Sequence, residues 1–199
     1  MSTFIFLWLQ NQHFYKNLQQ TALDDIPATS NKEHWADIGC STGLITRLAR
    51  KKGYKVVGYD LNAFSLFIAK LLLFGQKHIE YKKENLFNIH QTFSVISATS
   101  LLSVVDNEKE ALEKLISLLK NKHSSLVIIE PTKKMTVQNV QTHITGFKSW
   151  WHYKGLLLWA KAREGKFVPL SLYSIENVSV VHKYYLFDTV RVSYLKIII

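Results

Sequence analysis

The chain has little of what breaks or staples a fold: 3 prolines, 8 glycines and one cysteine in 199 residues. Beside 47% hydrophobic and 13% aromatic residues, that scarcity excludes a disordered, collagen-like or low-complexity chain, because so much apolar surface has to be buried. The lone Cys40 excludes an internal disulfide and fits a reducing compartment, so a cytoplasmic location is expected. Eight histidines are scattered without C-x-x-C or H-E-x-x-H spacing, so no metal site is expected. No apolar run reaches the roughly 20 residues that span a bilayer; the longest, around 64–75, is interrupted by Lys70. The apolar opening from Phe4 to Leu9 lacks the basic stretch and small-residue cleavage site of an export signal. Acidic residues are also few. With 25 Lys and Arg against 15 Asp and Glu the net charge is +10, which attracts nucleic acid, acidic membrane or anionic small molecules without choosing among them.

What is present alternates. Residues 35–38, apolar but for Asp37, form a short segment ending at Gly39, and apolar positions then repeat at helical spacing between Gly43 and Gly53. A β-branched and aromatic run, 54–59, ends at Asp60 and gives way to a helical stretch, 63–74, closed by Gly75. Strand-like runs at 79–81, 93–98 and 126–129, with a helical stretch at 108–120, continue the pattern. Regular alternation implies right-handed crossovers and a parallel sheet covered by helices on both faces: a doubly wound α/β fold whose ligands sit at the carboxyl ends of the strands. Apolar residues every three or four positions make 136–164 largely helical, with breaks expected at Gly146 and Gly155. Two β-rich runs, 178–187 and 189–199, read as an antiparallel hairpin joined at Asp188. The expected organisation is a helical cap, 1–34, on one domain, 35–199, in which 136–170 forms a helical lid.

Asp37-Ile-Gly39-Cys40-Ser41-Thr42-Gly43 lies between the first strand and its helix, where residues without a Cβ let backbone turn sharply and approach a ligand. Asp60 stands 21 positions after Gly39 at the end of the second strand, where a carboxylate can accept two hydrogen bonds from vicinal ribose hydroxyls. Together they describe an adenosine site. A phosphate-binding loop would need Gly-Lys-Ser/Thr where Leu44 and Ile45 stand, which removes a nucleoside triphosphate. The dinucleotide fingerprint would need glycine at Ser41 and Leu44, and no Tyr-x-x-x-Lys pair exists, so hydride transfer recedes.

These residues resemble the first motif of class I S-adenosylmethionine-dependent methyltransferases of the small-molecule type, with Asp60 in the place of their ribose-binding acid. The resemblance runs from about Trp35 to the end of the chain. It implies a Rossmann-like, mostly parallel seven-stranded sheet with a C-terminal antiparallel hairpin, S-adenosyl-L-methionine as cofactor, and methyl transfer to a small organic acceptor, apolar or aromatic. Cofactor-binding positions are then Asp37, Gly39, Cys40, Ser41 and Gly43 of the turn, Asp60 and Leu61, Asn85 and Leu86 of the segment facing the adenine, and Thr99 after the fourth strand. Ser41 replaces the middle glycine, Asn85 a usual aspartate and Ser94 the frequent aspartate of strand four.

Other residues are candidates by place and type. Glu130, closing the fifth strand, and His143 and His152 are candidate bases for an acceptor that must lose a proton. Tyr15 of the cap and Ser100 after strand four are expected on the substrate side. Lys148-Ser-Trp150-Trp151-His152-Tyr153-Lys154 interleaves bases with aromatics, so Trp150, Trp151 and Tyr153 are expected to line an acceptor pocket, one tryptophan facing inward and the other outward. The same composition suits a base-stacking platform, hence RNA methylation, although no Asn-Pro-Pro-Tyr or Asp-Pro-Pro turn follows strand four. Leu156 to Trp159, flanked by lysines, suits a lipid or isoprenoid acceptor at a membrane surface. A third reading is an inactive methyltransferase-like binding protein, motivated by Ser41 and Asn85. Cys40 is read as a small packed residue without chemistry of its own.

Overall fold

The computed structural model describes residues 3–73, 75–143 and 150–198. Runs rich in β-branched and aromatic residues form the strands: β1 (His34–Ile38), β2 (Lys55–Asp60), β3 (Ile79–Lys83), β4 (Val95–Thr99), β5 (Ser125–Pro131), β6 (Val178–Tyr185) and β7 (Val190–Ile197). They make one sheet in the order β3-β2-β1-β4-β5-β7-β6. Strands β1 to β5 pair in parallel, while β7 runs antiparallel to both β5 and β6. The order reverses between β1 and β4, and a crevice opens at the carboxyl ends of those two strands. The mostly parallel, doubly wound sheet with a closing hairpin agrees with the alternation of the sequence.

Helices α1 (Thr3–Gln10), α2 (His13–Asp24), α3 (Leu44–Lys51), α4 (Ala63–Leu71), α5 (Glu108–Ser117), α6 (Val137–Thr142) and α7 (Trp150–Arg163) cover the sheet. Three begin with side-chain caps: Asn62, Asn107 and Thr136 each accept a hydrogen bond from a backbone N–H of the first turn. The core is two clusters, one per face. Trp35, Val56, Val127 and Ile129 meet α2, α3 and α7 on one face; Ile38, Ile96, Ile128 and Leu195 meet α5 and the segment 168–175 on the other. Tyr15 of α2 and Trp159 of α7, both fully buried, meet edge to face at 5.0 Å and fasten α2 to α7 on the same face of the sheet.

The sequence expectations fail in three places. α5 ends at Ser117, because Leu119 leaves to bridge Phe93, which itself lies outside β4. α4 ends at Leu71, and the expected end at Phe74 lies outside the described residues, as does Gly146. Gly155 does not break a helix. It sits buried inside α7, where a Cβ would stand 3.0 Å from the Phe14 ring, so the glycine is there for close approach of α2 rather than for a turn.

Candidate active site

At the carboxyl ends of β1, β2 and β4 lies a cavity of about 750 Å³, roofed by α1 and α2. Its floor is the turn after β1. Gly39 and Gly43 hold φ of +71° and +74°, and the N–H groups of Gly39 and Cys40 both donate to the Tyr59 carbonyl, at 2.8 and 2.9 Å. Ser41 between them also takes a left-handed φ, +49°, a conformation that costs a residue with a Cβ about 1 kcal/mol. The backbone at 41 therefore keeps the shape that glycine would allow. Ser100, following β4, is a second non-glycine residue in this region, φ +52°, and it too lines the cavity.

Asp60 is the best-prepared acceptor here. Its Oδ2 takes the Ser41 N–H and its Oδ1 the Asn62 N–H, each at 2.8 Å, which fixes the carboxylate plane and leaves a lone pair on each oxygen. Leu61, exposed, and Asn85, Leu86 and Thr99 line the same cavity. Asn85 spends its Oδ1 on the Phe87 N–H, at 3.1 Å, capping the short turn Leu86–Asn88.

Asp37 also lines the cavity, but its carboxylate is spent within the protein. Oδ2 accepts from the Thr46 N–H at 3.0 Å and hydroxyl at 2.7 Å, and Oδ1 from the Ser97 hydroxyl at 2.9 Å. It clamps α3 and β4 to β1, and burial pushes its pKa up to about 6 despite those donors. Gly43 does not line the cavity: a Cβ there would overlap the Tyr81 hydroxyl, so it serves packing. Cys40 is buried at the cavity wall, its thiol pushed well above the ordinary range by burial first and then by Asp37 and Asp60, which leaves it inert.

The candidates of the second half fall elsewhere. Glu130 does not line the cavity. It points to the face shared by Ile128, accepts the Leu102 N–H at 2.8 Å and is fully buried, which pushes its pKa up to about 7. His143 lies flat against the Phe187 ring, 4.1 Å between centroids, and His152 stacks on His13 of α2; neither meets the cavity. Trp150 and Trp151 are both exposed, 55% and 60%, against the expectation that one faces inward. The inward stripe of α7 is Tyr153, Leu156, Trp159 and Ala160, and Trp150 instead carries the Lys154 ammonium 3.6 Å above its ring. Tyr153 packs in the core and does not line the cavity. Tyr15 and Ser100 do line it.

Three contributors escaped the sequence reading. Gln10 of α1 accepts a hydrogen bond from the Thr42 hydroxyl and so ties the roof to the glycine turn. Gln19 of α2 takes the Thr99 hydroxyl, at 3.5 Å, on its oxygen, while its Nε2 is buried without a partner. Arg163, last residue of α7, is the one cation among the described lining residues, against Asp37, Asp60, Glu84, Asp106 and Glu110. Its Nε too is buried without a partner, as is the Ser100 hydroxyl. Three polar side chains that line the cavity, Gln19, Ser100 and Arg163, thus each hold a buried group without a hydrogen-bond partner.

A methyltransferase domain family matches residues 8–176. The chain belongs to this methyltransferase domain family. No curated protein matches it significantly in sequence. Among solved structures, the plantazolicin methyltransferase BpumL in complex with SAH superposes on this methyltransferase with a TM-score of 0.64 at 13% identity, covering 97% of this chain and 88% of that one. The N-methyltransferase NodS from Bradyrhizobium japonicum WM9, in complex with S-adenosyl-L-homocysteine, gives 0.61 at 13% identity over 96% and 90%. The CurJ carbon methyltransferase gives 0.66 at 13% identity, over 96% of this chain and 57% of that one. At such identities the likeness is one of fold. Among the described residues of the methyltransferase, no helix is long and apolar enough to cross a membrane.

Proposed function

We propose that this methyltransferase binds S-adenosylmethionine in the β1–β2–β4 cleft, by Gly39, Cys40, Ser41, Asp60, Leu61, Asn85, Leu86 and Thr99 of the positions taken from the sequence together with Gln19 and Arg163, and methylates a small organic acceptor. The observation that carries the reading is the Asp60 carboxylate, held by two backbone N–H groups with one lone pair left on each oxygen. That is the geometry two vicinal ribose hydroxyls need. The unpartnered groups of Gln19, Ser100 and Arg163 in the same lining support it, because the cofactor has a single carboxylate and this cleft a single guanidinium among its described residues. The neighbours crystallised with S-adenosylhomocysteine support it as analogues of fold.

When bound, the cofactor supplies an electrophilic methyl group on a sulfonium. The chain's part is to bind and orient. Tyr15, Gln19, Ser100 and Arg163 offer hydrogen-bond donors at the methionine end, and the Tyr15 phenol, pushed up by burial, holds its proton. Alignment of the acceptor with exclusion of water supplies roughly 7–11 kcal/mol of barrier lowering. Residues 1–34 act as the cap, and 136–170 contributes Arg163 rather than an aromatic lid. The reading includes a cytoplasmic, reducing location, which the single Cys40 suits.

One observation favours a second reading. Trp150 and Trp151 with Lys154 present an exposed aromatic and basic face, suited to stacking RNA bases. Of the residues behind the membrane alternative, Leu156 and Trp159 are buried while Leu158 is exposed. Isothermal titration with S-adenosylhomocysteine tests the first reading: one saturable site is expected, and no binding would overturn it. An RNA titration tests the second, for which log affinity falls with log salt by about 0.7 per phosphate contact.

A further inference from the structure

A second cavity, of about 420 Å³, lies where the chain leaves β5, between Thr132–Lys134, the loop 167–170 and the β6–β7 hairpin; it shares no lining residue with the cleft. Its charge balance is one-sided. Lys134 is paired with Asp188 at 2.9 Å, which leaves Lys133 and Arg191 without an ion pair to any described carboxylate. Arg191 of β7 is 3% exposed. Its Nη2 donates to the Val168 carbonyl at 2.9 Å and its guanidinium lies 4.8 Å from the Tyr173 ring centroid, while Nε has no partner. Glu130 stands opposite it across β5 and β7 and also keeps one carboxylate oxygen without a hydrogen bond, so the guanidinium has an acid on the neighbouring strand yet forms no ion pair with it, and its Nε stays unsatisfied.

The remaining wall is apolar. Phe167, Leu170 and Tyr184 are each 43% to 54% exposed, yet all three open on this one cavity. Large apolar groups gathered around two cations that make no ion pair fit one kind of small molecule: an anionic head with an apolar, ring-sized body. We propose that this cavity is a second ligand site, for an organic carboxylate or phosphate monoester whose head meets Arg191 and Lys133 and whose body lies against Phe167, Leu170 and Tyr184. The site does not depend on the methyl-transfer reading, because the two cavities have separate linings.

Phenyl phosphate and benzoate are the probes, titrated calorimetrically into the full chain. At least one is expected to bind saturably, and the tighter of the two identifies the head group. Inorganic phosphate, which lacks the body, and benzamide, which lacks the charge, are each expected to bind about tenfold more weakly or worse. Lys133→Ala and Leu170→Glu alter exposed residues, so they preserve the fold, and each is expected to weaken the better probe by about tenfold. Saturating S-adenosylhomocysteine is expected not to displace it. The proposal is overturned if neither probe saturates, if inorganic phosphate binds as tightly as phenyl phosphate, if both variants bind like wild type, or if S-adenosylhomocysteine competes.

Discussion

Two acids close strands of the same sheet, Asp60 at the end of β2 and Glu130 near the end of β5, and their surroundings give them opposite uses. Asp60 is half-buried, faces the cleft and is held as a carboxylate acceptor by two N–H groups of neighbouring turns. Glu130 is fully buried, faces the opposite layer, and secures the chain after β4 through the Leu102 N–H. The halves of the chain differ in the same way. From 34 to 100 the suggestive polar residues converge on a cavity, whereas among the described residues from 136 to 163 most pack against α2 or face solvent, and Arg163 alone reaches it. A strand-end acid is thus open to a ligand only where the adjoining turn leaves it exposed.

The largest expected effect separates the two acids directly. Asp60→Ala removes two charge-assisted hydrogen bonds and should weaken S-adenosylhomocysteine about a hundredfold, while Glu130→Gln should leave its affinity near wild type, both read by isothermal titration. Equal losses would erase the distinction.

Next comes stability against pH. The folded carboxyl of Glu130, at about 7, lies above its ordinary 4.5, so the folded state holds the proton more tightly than the unfolded chain. Its contribution is fully present below about pH 4.5 and is lost as pH rises through about 7, up to roughly 3 kcal/mol. Asp37, raised to about 6, acts with the same sign. Urea unfolding between pH 4.5 and 8 should therefore show wild-type stability falling with pH, and a flatter curve for Glu130→Gln.

Arg163→Gln sharpens the contrast within α7. It should weaken S-adenosylhomocysteine about tenfold, whereas Lys154→Gln, on the solvent side over Trp150, should not change it. Trp150 and Trp151 lie on that solvent side too.

What the sequence made legible follows the same division. The glycine turn and the acid 21 positions on are local requirements of backbone shape and strand length, so Gly39, Ser41 and Asp60 could be placed without knowing any helix packing. Gln10, Gln19 and Arg163 reach the cavity only through the docking of α1, α2 and α7, and no spacing in the chain announces it. The aromatics of 150–159 were illegible for a related reason. Apolar residues lie on every side of α7, so period alone could not choose the inward stripe, and Gly155, weak in helices by propensity, marks the contact with Phe14 that does choose it.

The smallest effect concerns the floor of the cleft. Ser41→Gly relieves about 1 kcal/mol of left-handed strain and loses part of it to unfolded-chain entropy, so a rise in melting temperature of about 1–2 °C is expected with cofactor affinity kept.

A crystal structure of the chain with S-adenosylhomocysteine decides whether the cleft over β1, β2 and β4 holds the cofactor. Both ribose hydroxyls are expected on the Asp60 carboxylate, the adenine beside Leu61 and Asn85, and the amino-acid carboxylate at Arg163 and Gln19. Density for the ligand in the Arg191 cavity instead, or in the cleft with its ribose away from Asp60, would contradict this placement.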